Sequence, residues 1–585
     1  MKTFFKMLLA TIVGTILSLV LILFFFMIVG IAALSKGNVP VVSSKSVLKL
    51  ELNSPIEERV QDNPFEKYSS VLGSMNALGL NTLLNNIAKA KEDSNIEGIY
   101  LDISAVYADF ATLEEIRNAL EDFKTSGKFV YCYAESLSQS AYYLASAASK
   151  IYLNPQGMFE LRGLSAQTLF FKGLLDKMDI EIQVVRHGSF KSAVEPFILN
   201  KMSEANKLQV QTFLGSIWKQ VASDIGKSRS IDVKAINNVC DNLSLLHNTT
   251  LAMEMGFVDS LIYKDQFENI VHTQMGLDSA TKINWISLKE YKKIPAFEKK
   301  SKDKIAVIYA VGDIVDGKNG TNQIGISTAE ELAKARRNEE VKAIVFRVNS
   351  GGGSALASEV IWREMVLTQK VKPVVVSMGS MAASGGYYIA CAADYIVAQP
   401  TTITGSIGVF GVFPNVEKML EKKLGITVDR VNTNTSADAL SMLRPLSSYE
   451  TTQLQKIVDN TYFTFMQRVA DGRKLRTSFV DSIGQGRVWS GVDALNLGLV
   501  DTLGGLNVAI AKAAQLAKIE KYSTVEYPAM KDFYQEFMQA FLDTKISNQI
   551  QKSPLYETYL YFHYVESALG LKGIQARMPY LISIN

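Results

Sequence analysis

The chain contains one long stretch twice, and that duplication limits the folds open to it more than any other feature. Tyr142–Pro155 (Y-Y-L-A-S-A-A-S-K-I-Y-L-N-P) aligns without a gap on Tyr387–Pro400 (Y-Y-I-A-C-A-A-D-Y-I-V-A-Q-P), with seven of fourteen positions identical at an offset of 245 (387 − 142). The same offset carries Ile96-Glu97-Gly98-Ile99 onto Val341-Lys342-Ala343-Ile344, and Gly256–Asp259 meets Gly498–Asp501 at 242 (498 − 256). Solenoid repeats recur every ~20–50 residues, so a single long period means a doubled domain. Each copy alternates apolar strands with helices. In the second these are Lys304–Ala310, Thr328–Arg337, Ala343–Val348, Ala355–Thr368, Val374–Ser377 and Tyr387–Ala393. Such alternation predicts parallel βαβ units and an α/β fold. The copies span residues 46–290 and 303–520, with charged Lys299–Lys304 as the linker and residues 521–585 as a C-terminal extension.

Residues 1–45 stand apart. Met7–Leu34 is 28 residues without a charge, longer than the apolar core of a cleavable signal and long enough to span a bilayer. With Lys2 and Lys6 before it, the segment reads as a single anchor with a cytoplasmic N-terminus and the rest of the chain exported. Net charge is +3 and charged residues make up 20% of the chain, so nothing points to nucleic acid. Cys132, Cys240 and Cys391 are too scattered for a disulfide framework or a thiolate metal site. His187, His247, His272 and His563 show no metal-ligand spacing, so neither metal nor cofactor is expected.

The copies differ where chemistry would sit. In the second, the turn Ala382-Ala383-Ser384-Gly385-Gly386 lies between strand and helix and carries a serine with almost no bulk around it. Ser384 alone reads as a helix cap more readily than as an exposed nucleophile, and the glycine turn and the base described next reverse that order. Asn349-Ser350-Gly351-Gly352-Gly353-Ser354 opens another helix, where free backbone N–H groups can hold negative charge. Neither dinucleotide nor P-loop spacing is present, so the glycines fit an oxyanion hole better than a phosphate cradle. The first copy has Gln139-Ser140-Ala141 and Ser104–Asp109 at these places and so lacks both features.

A serine nucleophile needs a base. The second copy contains no histidine, and nothing marks His187 or His247. The first copy has Lys191 among Phe190, Ala193, Val194, Pro196 and Phe197, whereas the second has Asn434–Ala439 there, without a lysine. A single lysine is most often a snorkelling surface residue. Buried among apolar groups it loses its proton more easily and can act as a base. Each copy keeps what the other lacks, as a site at their interface would produce. Glu195 would oppose that loss if it faced inward, so it is expected to turn away or to pair elsewhere, with an arginine for example.

Four motifs in order, Arg347–Ser354, Ala383–Tyr388 (A-S-G-G-Y-Y), Thr404–Val409 (T-G-S-I-G-V) and Phe190–Phe197 (F-K-S-A-V-E-P-F), resemble the long, duplicated, membrane-anchored form of the bacterial signal peptide peptidase A family, related to protease IV. The resemblance runs from the anchor to about residue 520. It implies a crotonase/Clp-protease-like α/β fold in each half and a Ser–Lys dyad with Ser384 as nucleophile and Lys191 as base. It further implies Ser406 as the residue orienting the lysine, and Gly352, Gly353 and Gly385 as the oxyanion site. The implied activity is a serine endopeptidase that hydrolyses spent signal peptides and other apolar peptides. The implied setting is the bacterial inner membrane, with the catalytic halves periplasmic and the chain in a homotetramer. Gly351 stands where the family usually has proline, which leaves that loop more freedom. Two rivals remain at this level: a silent membrane-anchored scaffold for peptides or partners, which reaction with a serine-directed phosphonate would exclude, and an acyl-CoA enzyme, which has no evident carboxylate pair here. The aromatic cluster Tyr556, Tyr559, Tyr561, Phe562 and Tyr564 reads as core packing.

Overall fold

β-Branched and aromatic runs bounded by turn residues become the strands of two sheets, one in each half of the chain, the first parallel and the second parallel except for one antiparallel edge strand, Val488–Ser490. The computed structural model describes residues 42–61, 77–278, 281–295, 301–320, 322–530, 574–578 and 583–584, with scattered positions between 4 and 22. The anchor expected over residues 7–34 falls mostly outside the described residues, as does the aromatic cluster at 556–564. Among the described residues no helix is long and apolar enough to cross a membrane.

The first half supplies β1 (Ser46–Glu51), β2 (Ile96–Asp102), β3 (Phe129–Ala134), β4 (Lys150–Leu153), β5 (Glu181–Arg186), β6 (Ser260–Leu261) and β7 (Asn284–Ser287). Six of these form a parallel sheet ordered β7-β1-β2-β3-β4-β6. The second half supplies β8 (Lys304–Val311), β9 (Asp313–Ile314), β10 (Gln323–Ile324), β11 (Val341–Ser350), β12 (Gly352–Ser354), β13 (Val374–Ala383), β14 (Tyr395–Ala398), β15 (Ile403–Gly405), β16 (Phe410–Asn415), β17 (Val488–Ser490), β18 (Thr502–Leu503) and β19 (Ser523–Tyr527). Its sheet runs β17-β15-β13-β11-β8-β19, and β14 pairs with β13 and with β18. Val374, Val375 and Val376 at the centre are fully buried, each side chain contributing roughly 1.5–3 kcal/mol relative to exposure.

The duplication persists in individual hydrogen bonds. Tyr142 Oη donates to the Phe257 carbonyl at 3.0 Å, and Tyr387 Oη to that of Leu499 at 2.8 Å. Asp259 accepts from Ile151 N–H and pairs with Arg229; Asp501 accepts from Ile396 N–H and pairs with Arg473. β19 lies parallel to β8 as β7 lies parallel to β1, so the repeated unit continues past residue 520 to Tyr527. Cys132, Cys240 and Cys391 are free and buried.

Two departures from the symmetric picture position the site. β5 leaves the first sheet and lies antiparallel to β16, Arg186 opposite Phe410, in a third sheet ordered β10-β9-β12-β20-β16-β5. Its member β20 is Gln575–Arg577, from far along the chain. The halves are also tied by charge. Arg347 on β11 is fully buried and donates from Nε to Glu58 and from Nη2 to Glu115, at 2.9 Å each. Opposite charges from a bend (Glu58) and a helix (Glu115) of the first half and a strand of the second thus satisfy one another where water cannot.

Candidate active site at the seam between the halves

β13 was expected to end at Ser377 but continues to Ala383, because Met381–Ala383 pair with Ile403–Gly405 of β15. Ser384 is then the single residue between that strand and the helix Gly385–Ala390. Its backbone takes φ 54°, ψ −116°, a region that non-glycine residues enter at a cost of about 1–3 kcal/mol. Its N–H is held by the Gly405 carbonyl at 2.8 Å, and its own carbonyl accepts from Tyr388 N–H at 2.8 Å. The side chain makes no cap, so the helix-cap reading fails. At the corresponding junction of the first half, Ser138 has an ordinary extended backbone and does cap its helix, accepting from Ala141 N–H. Gln139 there is spent on the backbone of Arg162 and Gly163.

Lys191 arrives from the first half. After β5, His187 N–H donates to the Val409 carbonyl and Phe190 N–H to that of Gln485, which steers the chain across the second half. Lys191 is fully buried, with Nζ 2.8 Å from Ser384 Oγ, 3.0 Å from Ser406 Oγ and 3.2 Å from the Ser406 carbonyl oxygen. Burial pushes its amine well below the ordinary lysine range, since the ammonium form is the one that desolvation penalises. Glu195 does turn away, but to hydroxyl and amide partners, not an arginine: it accepts from Ser203 N–H and Oγ and from Asn206 Nδ2. Ser406 also has a positive φ, 51°, and its N–H is fixed by the Arg487 carbonyl at 2.7 Å.

The glycines pack against one another. Gly352, at φ +95°, donates its N–H to Ser350 Oγ at 3.1 Å, and a Cβ there would lie 2.6 Å from Gly385 N. A Cβ at Gly353 would fall 1.9 Å from the Ile314 carbonyl oxygen. Gly385 directly follows Ser384 at the start of the helix, where backbone N–H groups lack intrahelical partners. His187 is engaged elsewhere, its Nδ1 2.8 Å from Asp459 and its ring stacked on Tyr462 at 4.0 Å; His247 is exposed. Among the described residues no group of three His, Cys, Asp or Glu side chains could hold a metal ion.

Two contributors escape sequence reasoning. A Cβ at Gly486 would lie 2.7 Å from Lys191 N, Cα and Cβ, and one at Gly408 would be 3.3 Å from Lys191 Cδ. These glycines make the slot through which the lysine enters, and only the packing of one half on the other gives them that meaning. Arg347 belongs to a quoted motif, yet its role as the tie between the halves was not anticipated; an arginine within an otherwise apolar strand was the available signal.

The profile of Peptidase family S49 matches residues 122–278 and 367–520, one stretch in each half. The chain is 40% identical over 484 residues to Protease 4 of Salmonella typhi, covering 80% of this chain and 77% of that protein. It is 38% identical over 473 residues to Protease 4 of Haemophilus influenzae, covering 79% and 75%. It is 33% identical over 491 residues to the chloroplastic serine protease SPPA of Arabidopsis thaliana, covering 82% and 70%.

Proposed function

The chain belongs to peptidase family S49 and is a serine peptidase, and from that premise we propose a Ser384–Lys191 dyad that hydrolyses spent signal peptides and other apolar peptides at a membrane. One observation carries the reading: a fully buried lysine from one half, its amine depressed by burial, lies 2.8 Å from a serine held on a strained turn of the other. In this mechanism neutral Lys191 takes the proton of Ser384 Oγ–H as the oxygen attacks the scissile carbonyl. Ser406 holds the amine in line by its hydroxyl and carbonyl oxygens. Gly353 and Gly385 N–H groups take the negative charge of the tetrahedral oxygen; Gly352 serves by close approach, since its own N–H is occupied by Ser350. The lysine returns the proton to the leaving amine, and water, activated in the same way, releases the acyl group.

The finer architecture follows the same reading. Residues 46–290 supply the base and residues 303–520 the nucleophile and oxyanion site, each on a crotonase/Clp-protease-like unit, which the parallel sheets support. The uncharged stretch Met7–Leu34 anchors the chain once in the bacterial inner membrane, N-terminus cytoplasmic and catalytic halves periplasmic. A homotetramer around a shared chamber would keep folded proteins from the site.

The experiment has two arms on separate samples of the full chain: labelling with a serine-directed fluorophosphonate, and incubation of the unlabelled chain with signal peptides and lipophilic peptide esters. Labelling at Ser384 that Ser384→Ala abolishes, with cleavage of those peptides, is expected. A chain that labels and cuts polar peptides only would remove the substrate assignment, and one that neither labels nor cuts would remove the dyad. Sedimentation of the detergent-extracted chain as a monomer with full activity would overturn the tetramer.

A further inference from the structure

The first half keeps the place of a catalytic site after losing its chemistry, and that place is a cavity. At the offset of the duplication Gln139 stands opposite Ser384 (384 − 139 = 245) and Asp109 opposite Ser354 (354 − 109 = 245). Gln139, its neighbours Ser138 and Ser140, and Asp109 line a cavity of about 550 Å³. The second half completes the wall with Gly351, one residue before the oxyanion glycines, and Met381, three before Ser384. The cavity therefore adjoins the peptidase site. Asp109 behaves unlike its counterpart in the repeat. Ser354 caps its helix, its Oγ accepting from Ala357 N–H at 3.2 Å. Asp109 precedes the matching helix Phe110–Lys124 with an extended backbone, φ −70°, ψ 156°, yet its side chain makes no cap bond. Aspartate is a preferred cap, but this carboxyl is turned instead to the Ser380 side chain across the seam.

Charge in the cavity is unbalanced. Its other carboxylates have cations: Glu160 pairs with Arg162 at 3.1 Å, and Asp313 with Arg577. Among the described residues no lysine or arginine pairs with Asp109, and the charge that acts on it, Glu58, is negative. Burial, with Glu58 adding to it, raises this carboxyl above the ordinary aspartate range. The helix N-terminus beside it offers only about half an elementary charge. Asp109 nonetheless keeps exposed surface, so a cation can reach it. Phe110, Phe213, Ile217 and Met381 give the cavity apolar sides. An apolar channel ending at one carboxylate suits a long alkyl stem with a positive head, which is lysine or arginine. It does not suit a metal ion, since among the described residues no three ligating side chains gather.

We infer that the cavity left in the first half is a subsite for a lysine or arginine side chain of the peptide substrate, with Asp109 taking the charge. Ser380 positions Asp109, and is itself held by Thr112, the two hydroxyls 3.2 Å apart. The inference rests on the Ser384 peptidase reading and extends it to specificity. It fits signal peptides, whose apolar core follows a positively charged region.

The test uses the full chain and fluorogenic peptides of one length, leucine-rich and uncharged except for a single lysine moved through successive positions. Each is paired with a norleucine control. In the parent, lysine at one or two adjacent positions should raise kcat/KM about tenfold or more over norleucine, as a hydrogen bond to a charged group does. Glutamate at those positions should lower it. Asp109→Asn keeps the shape and removes the charge, and should bring the lysine-to-norleucine ratio there close to unity. The ratio is taken within each variant, so a general loss of activity cancels. Affinities of the same peptides for the Ser384→Ala chain, with and without Asp109→Asn, are read by fluorescence anisotropy and should show the same ratios without turnover. A parent that favours lysine at no position overturns the inference, and so does a preference that survives Asp109→Asn in either measurement. A lysine preference seen in binding, in a chain whose parent neither cuts peptide nor labels at Ser384, keeps the subsite and removes the peptidase reading instead.

Discussion

Three side chains with no exposure, Ser384, Lys191 and Ser406, meet where two of the backbones are held at positive φ. Strain of this kind persists only when the surroundings over-determine it, and here the Gly405 carbonyl and Tyr388 N–H hold Ser384 while the Arg487 carbonyl holds Ser406. Lys191→Arg keeps the charge but cannot give up its proton, so kcat should fall by about 10²–10⁴-fold or more in steady-state assays while circular dichroism stays native. Ser384→Ala should be as inactive, and the double variant no worse, since the two act as one unit. The pH profile tests the amine directly. Its folded pKa lies well below the ordinary value of about 10.4, so kcat/KM should rise with pH through that depressed value and be flat above it. Ser406→Ala removes an acceptor that favours the ammonium, so the acid limb should move to lower pH while kcat falls through loss of aim. Stability has the matching sign. Between the depressed pKa and the ordinary one the unfolded chain binds the extra proton, so this lysine makes stability rise with pH across that window. Lys191→Met should abolish this dependence in urea titrations taken at several pH values.

At the scale of elements, the site is made by edges meeting, not by loops closing. β13 runs straight into Ser384 because β15 pairs with its last three residues. β5 reaches across to β16 and carries Lys191 behind it. Gly486, at φ +79°, lies against the lysine backbone on the far side. Gly486→Ala should therefore cost about 1–3 kcal/mol for the left-handed backbone and also push Lys191 off line. The expected signature is a kcat loss with KM little changed, seen alongside a lowered urea midpoint. A variant that loses stability and keeps kcat would show that the lysine is aimed from elsewhere.

At the scale of the molecule, the proposed mechanism makes the two halves one catalytic unit, because Lys191 comes from one and Ser384 from the other. Arg347 secures that relationship through Glu58 and Glu115, and the charges favour its protonated form so strongly that its pKa is raised above the usual guanidinium range. Arg347→Met leaves two buried carboxylates without a counter-charge, although Asn349 and Leu506 N–H still donate to them, and should destabilise the chain by roughly 3–5 kcal/mol in equilibrium unfolding. Adding Glu58→Gln and Glu115→Gln should recover much of the loss, since the uncompensated charges are gone. If the single variant were as stable as the parent, the seam would be held by apolar packing alone.

Periodicity along the chain determined the doubling, the α/β class and the parallel strands, because βαβ units are written in local alternation and recur at a fixed offset. Composition and spacing also singled out Ser384, Lys191 and the glycine strand, since at those places one copy carries residues suited to chemistry and the other does not. Tertiary structure alone decided the rest. Whether Ser384 caps a helix or stands on a strained turn depends on β15 pairing with β13, a contact between residues about twenty apart in a sheet. That Lys191 is buried depends on Gly408 and Gly486 admitting it, and that Glu195 leaves it unopposed depends on Ser203 and Asn206. The partner of the glycine strand lies more than two hundred residues away, at Gln575–Arg577. No local pattern encodes such a pairing, because backbone N–H and C=O groups at a sheet edge accept any strand of suitable register and only packing selects which one arrives.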